Sequence, residues 1–231
     1  MSQLIVFDVN GTLLDVQALA PELNRLFGNA VSVREWFVEV LQYSLALTVA
    51  GDYAEFGEIA TAVLKMTAAS LHRQLEHADI SAVKERLTSL PPFPDVKPAL
   101  TSLKAAGFRL ATLTNSSAQS QQKQLQNAGL TAYFEQTLSV ELVRRYKPAP
   151  EPYRSAAEAL GVRPSEILLV AGHGWDVFGA LRAGCRSAFI SRPGEAVFPL
   201  GPQPDYIAGD LADFTHQVVT ELRPQVTEPR T

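Results

Sequence analysis

Cysteine is nearly missing from this 231-residue chain: Cys185 stands alone, which excludes an internal disulfide and any metal cluster built from cysteine pairs. Beside Gly184 on an apolar segment, it is expected to be a small core residue. Charge of one sign is scarce too. Twenty Lys and Arg against 24 Asp and Glu leave a net charge of -4, so no basic excess points to a nucleic-acid partner. No apolar run approaches the ~18 residues of a membrane span, which argues against a membrane partner. The first residues pass into a strand pattern without signal-peptide features, so the cytoplasm is the expected location. Neither an internal repeat nor a low-complexity tract is visible. The apolar share is an ordinary 46%, in a chain long enough to bury a full core with a smaller module beside it.

What the chain does have is concentrated in Leu4 to Asp15, LIVFDVNGTLLD. Leu4, Ile5, Val6 and Phe7 read as a short strand buried on both faces, which stops abruptly at Asp8. A carboxylate at the carboxyl end of a buried strand lies where open α/β sheets hold their ligands, so Asp8 is a candidate nucleophile. Taken alone, Asp8, Asn10 and Gly11 are equally good turn formers.

From Val16 to about Leu90 the pattern is helical. A short amphipathic helix around Pro21 to Phe27 closes at Gly28, and Ser32 with Glu35 forms a capping box opening a helix from Val33 to about Val49. Ile59 to Leu75 and Ser81 to Leu87 repeat the helical spacing, and no strand pattern interrupts them. Pro91 to Pro94 is the expected return linker. Beyond it, strands at Phe108–Leu113, Thr137–Val140, Ile167–Ala171 and Ser187–Ser191 alternate with helices, with Tyr206 and Ile207 as a last edge strand before a helix over Leu211 to Leu222. This alternation predicts an α/β fold with a doubly wound parallel sheet: a core of residues 1–16 and 91–223, a helical insert of residues 17–90, and a flexible tail over 224–231.

In such a sheet three polar strand ends share one edge: Asp8 with Asn10 and Thr12, Thr114 with Asn115, and His173 with Asp176. Between the last two lies Arg144-Arg145-Tyr146-Lys147-Pro148. Arg144 and Arg145 read as a surface basic cluster. Lys147, held between prolines and the helix that follows, would keep a neighbouring Asp8 ionised and offset charge developing in an attack. Tyr153 lies one helical turn further on.

Asp8 to Leu13, Thr114-Asn115, Lys147-Pro148 and Trp175-Asp176 resemble, in order and spacing, the four motifs of the haloacid dehalogenase superfamily, and the helical insert resembles its mobile cap. Within the superfamily the chain is most similar to the type II L-2-haloacid dehalogenases, through Trp36, Leu41-Gln42-Tyr43-Ser44, Tyr53-Ala54-Glu55-Phe56, Lys147-Pro-x-Pro with Tyr153, and Gly174-Trp175-Asp176. The resemblance implies a hydrolase in which Asp8 displaces halide from the carbon next to a carboxylate and the resulting ester is hydrolysed. Thr12 and Lys147 would orient Asp8, Thr114 and Asn115 would bind the substrate carboxylate, and Asp176 would hold Lys147 or the water. Asn10, Trp36, Phe37, Tyr153 and Trp175 complete the expected substrate contacts. Trp36 and Phe37 are adjacent and cannot both pack against one core, so at least one of them is expected to face the cleft. The implied partner is a short 2-substituted carboxylic acid, with a homodimer as the assembly common among related enzymes.

Three departures stand out. Phe37 occupies the place of an Arg that follows the cap Trp in those dehalogenases, and Arg34 on the same helix is the candidate substitute. Ala171 and His173 stand where the family has Ser and Asn, which makes His173 a candidate base for the ester-hydrolysing water. Gly172 replaces an Asp common in magnesium-dependent members, so no metal and no cofactor is expected. Asn10 replaces the acid that phosphatases use to protonate a leaving alkoxide, whereas halide leaves without a proton. A magnesium-dependent phosphatase and a catalytically quiet binding module are the alternatives.

Overall fold

The strands at Leu4–Phe7 (β1), Arg109–Thr114 (β2), Gln136–Ser139 (β3), Ile167–Ala171 (β4), Arg186–Ile190 (β5) and Tyr206–Ala208 (β6) form one parallel sheet, ordered β3-β2-β1-β4-β5-β6. This computed structural model describes residues 4–222; the tail expected over 224–231 lies outside them. The strand order is that of doubly wound α/β folds, in which ligands sit where the winding reverses. That reversal falls between β1 and β4. Register sets Phe7 level with Thr112 of β2 and Val170 of β4, so Asp8 leaves the sheet beside the ends of both neighbours.

β1 is apolar throughout because both its faces are covered. Ile5 and Phe7 pack in one cluster with Leu100, Leu103 and Phe214, while Leu4 and Val6 pack in the other with Tyr153, Ala156 and Val177. These partners come from the helices at Val96–Ala105 and Leu211–Leu222 on one side and at Pro150–Ala159 and Gly174–Arg182 on the other. Cys185 is buried in the second cluster, as expected of a small core residue. Burial pushes its thiol up to about 12, so it stays protonated.

Between β1 and the return at Pro91–Pro94 lie four α-helices and no strand: α1 (Ala20–Phe27), α2 (Val33–Ala50), α3 (Phe56–Ser70) and α4 (His77–Thr88). They form the inserted helical cap. α2 opens on the Ser32–Glu35 capping box and ends at Gly51 in the left-handed conformation. α3 and α4 each begin three or four residues before the apolar pattern suggests. The Glu55 N–H donates to the Glu58 carboxylate at 3.0 Å and the Glu76 N–H to Asp79 at 2.9 Å, so acidic side chains one turn in serve the helix starts. Ser81, where the apolar pattern begins, lies inside α4, and its hydroxyl donates back to the His77 carbonyl. The outgoing and returning crossings run side by side: Leu14 bridges to Pro92 and the Phe93 N–H donates to the Leu13 carbonyl at 3.0 Å.

Beyond the return come α5 (Val96–Ala105), α6 (Ala118–Ala128), α7 (Pro150–Ala159), α8 (Gly174–Arg182) and α9 (Leu211–Leu222). Among the described residues no helix is long and apolar enough to cross a membrane.

Candidate active site

At the carboxyl edge of the sheet the three polar strand ends converge on one ammonium group. Lys147 Nζ donates to Asp8 Oδ1 at 2.8 Å, to Asp176 Oδ2 at 2.6 Å and to the Leu113 carbonyl at 2.9 Å, which uses all three of its protons. The other Asp8 oxygen accepts from the Thr12 hydroxyl at 2.6 Å, and that hydroxyl accepts from the Gly172 N–H at 2.8 Å. Asp8 is thereby fixed by one bond on each oxygen, with lone pairs left over for attack. Lys147 is itself seated by its N–H, which donates to Asn115 Oδ1 at 3.0 Å, and its peptide bond to Pro148 is cis.

The electrostatics follow from burial and from one cation shared by two carboxylates. Burial pushes the Asp8 carboxyl up, but Lys147, His173 and the hydrogen bonds from Lys147 and Thr12 together outweigh it and hold the group below its ordinary value. Asp176 goes the other way: burial, with the nearby Asp8 charge, lifts it despite Lys147 and Tyr153. Burial would lower the Lys147 ammonium, but Asp176 and Asp8 keep it above its ordinary value. The ionised nucleophile is the better stabilised of the two carboxylates.

The remaining residues divide sharply. Phe37 and Trp175 line a cavity of about 420 Å³ together with Lys147, His173, Leu41 and Arg34. Trp36 does not reach it: its side chain is 1% exposed and packs in the core of the cap, so its expected place in the cleft is corrected in favour of Phe37 alone. Tyr153 is equally remote from the cavity. Its hydroxyl donates to Asp176 Oδ1 at 2.6 Å, which makes it a support for that carboxylate rather than a substrate contact. Asn10 is turned away as well, because Gln124 donates to its Oδ1 at 2.9 Å and its own amide donates to the Ser116 hydroxyl at 3.0 Å. Thr114 is buried and accepts from the Ser116 N–H; Asn115 keeps a buried, unpartnered Nδ2.

His173 Nε2 lies 3.0 Å from the Asn10 carbonyl and Nδ1 lies 3.5 Å from Glu195 Oε2. Its ring stacks against Trp175 and Phe37, with centroids 5.3 and 6.1 Å away. Burial pushes the imidazole down, yet Glu195, Asp8 and the Asn10 carbonyl lift it above its ordinary value. With an acceptor beside each nitrogen, the ring is better placed to carry hydrogen on both than to act as the expected base for water. Gly11 makes the arrangement possible. Its φ is 78°, and a Cβ there would come within 2.5 Å of His173 Nε2.

Arg144 and Arg145 are not a detached basic patch. The Arg145 guanidinium donates to the Thr48 carbonyl at the end of α2, and Arg144 lies 4.9 Å from the Tyr53 ring centroid.

A family model described as haloacid dehalogenase-like hydrolase matches residues 3–184. The chain belongs to this family of hydrolases. It is 32% identical over 217 residues to the haloacetate dehalogenase H-2 of Moraxella sp. (strain B), a match covering 93% of this chain and 96% of that protein. To an (S)-2-haloacid dehalogenase of Xanthobacter autotrophicus it is 33% identical over 217 residues, covering 93% and 83%. Its fold matches, with a TM-score of 0.87 and 27% identity, the solved L-2-haloacid dehalogenase of Xanthobacter autotrophicus with chloropropionic acid covalently bound, covering 96% of this chain and 100% of that one.

Two residues of the hydrolase's site have no counterpart in the four motifs. Glu195 follows β5 in a loop that the sequence marks only by Pro193 and Gly194. Arg192 donates to the Thr12 carbonyl at 3.0 Å and to Asp95 at 2.8 Å, pinning the nucleophile's loop from behind. A buried arginine on an otherwise polar turn carries no signal in the sequence.

Proposed function

We propose that this hydrolase removes halide from short 2-halogenated carboxylic acids through an ester on Asp8. The observation that carries the reading is the contrast between Asp8, held ionised by Lys147 and Thr12, and Asn10, whose amide is occupied and cannot move a proton. An Asp8 oxygen bonds to C2 as the carbon–halogen bond breaks, and halide leaves with the electron pair. Water then adds at the Asp8 carboxyl carbon and releases a 2-hydroxy acid carrying one oxygen from Asp8. The water oxygen stays on Asp8, one of its protons ends on the hydroxyl of the product, and the other goes to solvent. Asn115 Nδ2, buried without a partner next to Lys147, is the unused donor for the substrate carboxylate, with Arg34 lining the cavity from the cap; Thr114, 1% exposed and outside the cavity lining, supports the turn at Ser116 instead. Phe37, Leu41 and Trp175 wall the cavity with apolar surface, which excludes competing water.

The same proposal includes the division into a core of residues 1–16 and 91–223 and a cap of 17–90, supported by the paired crossings at Leu14 and Pro92. It also includes a cytoplasmic homodimer. Support for the dimer comes from Val49 of α2, which is left exposed outside the cavity; sedimentation at working concentration tests it. The phosphatase alternative finds little support. Among the described residues no group of three or more His, Cys, Asp or Glu is placed to hold a metal ion, and both Asp176 oxygens are engaged by Lys147 and Tyr153. Turnover is therefore expected to survive chelation.

The deciding experiment is one turnover of 2-chloropropionate in heavy-oxygen water with enzyme in excess. Unlabelled hydroxyl in the first-cycle product, with label on Asp8 by peptide mass spectrometry, is the expected result. Label in the product, or no chloride release at all, rejects the reading.

A further inference from the structure

Two departures from the family pattern, Phe37 and His173, touch each other in the folded protein. Their rings stack at 6.1 Å across the boundary between cap and core. Glu195, in the loop after β5, lines the cavity, and two further carboxylates, Asp8 at the end of β1 and Asp176 on α8, lie behind it on the lining residue Lys147. Lys147, on the loop before α7, and Arg34, on α2, supply two positive charges. With a neutral His173 the surroundings of an anionic substrate would carry a net negative charge.

The hydrogen-bond geometry resolves this. Nε2 faces a backbone carbonyl and Nδ1 faces a carboxylate, and neither partner has a proton to give. An acceptor within 3.0 Å of one nitrogen and a carboxylate at ion-pair distance from the other suit a ring that carries hydrogen on both. The flat faces of Phe37 and Trp175 suit a cation, since a ring's π face attracts positive charge.

Building on the proposed dehalogenation, we propose that Glu195 is a positioning residue that holds His173 as an imidazolium, and that this imidazolium supplies positive charge beside the cavity where Phe37 offers none. Phe37 then covers that charge with the face of its ring. Both N–H groups are committed to protein acceptors, so His173 attracts the substrate carboxylate through space. It neither binds that group directly nor draws a proton from water.

The test has one arm that needs no turnover. Nitrogen-15 spectra of the resting protein, with His173 assigned through a His173→Asn variant, report the protonation of each ring nitrogen as pH is raised. Two protonated nitrogens at pH 7 are expected, with a titration midpoint that falls in Glu195→Gln and recovers partly in Glu195→Asp. A singly protonated ring at pH 7, or a midpoint indifferent to Glu195, overturns the inference whatever the substrate is. The second arm is the pH profile of kcat/KM for 2-chloropropionate. A required imidazolium makes the rate fall as pH rises through the His173 titration, and Glu195→Gln moves that alkaline limb to lower pH. If His173 were a base, the rate would instead fall on the acid side and Glu195→Gln would move the acid limb down. That outcome rejects the inference while leaving the ester mechanism intact.

Discussion

The two walls of the cleft are built on different principles. On the core side every polar group that touches Asp8 is held by another: Lys147 by three acceptors and its own N–H, Thr12 by Gly172, Asp176 by Tyr153. On the cap side Phe37, Leu41 and Leu45 present hydrocarbon, and Arg34 is the cation at its edge. The core wall is organised before any ligand arrives, as catalysis by fixed charges requires. The cap wall selects what arrives. Chemistry and choice of substrate are thus separable in this protein, and mutations on the two walls should have different kinetic signatures.

The largest expected effect is on the core wall. Lys147→Met leaves Asp8 and Asp176 facing each other without their shared cation. Breaking a buried ion pair of this kind costs about 3–5 kcal/mol of stability. Ester formation should slow by about a thousandfold, measured as single-turnover halide release alongside thermal unfolding. Equal loss for a cap-wall variant would erase the contrast between the two sides. A smaller effect is expected for Arg34→Ala, which removes a charge without touching Asp8. KM for 2-chloropropionate should rise about tenfold with kcat nearly constant; an unchanged KM would remove Arg34 from substrate binding. The smallest is Trp36→Phe. Trp36 packs inside the cap with its indole N–H unpartnered, so the change should leave KM alone and shift stability by about 1 kcal/mol or less. A raised KM would return Trp36 to the cleft.

Much of this was legible in the residues, and the reasons differ from place to place. β1, β2 and β4 announce themselves as apolar runs because each is covered on both faces, and their shared edge follows from parallel pairing. Asp8, Thr12, Lys147 and Asp176 could be brought together on that basis. Direction of a side chain is a different matter. Trp36 and Phe37 differ by one helical step of about 100°, and which of them faces Asp8 depends on how α2 rotates against α3. Tyr153 and Asn10 stand at the right edge but point to Asp176 and to Gln124, partners far away in the chain. Glu195 was invisible for the same reason: a single carboxylate on a loop acquires meaning only once the ring of His173 is seen beside it.

The fastening of the cap has a consequence for traffic through the site. Gln124 and Asn127 of α6 grip the carbonyls of Leu87 and Thr88 at the end of α4, while Arg145 and the Tyr146 N–H hold Thr48 near the end of α2. A cover stitched down at two separated seams does not lift as a whole. At the start of α2 the guanidinium of Arg34 stands within van der Waals contact of where a side chain on Gly194 would begin, so any residue larger than glycine there would press on the cation that lines the cavity.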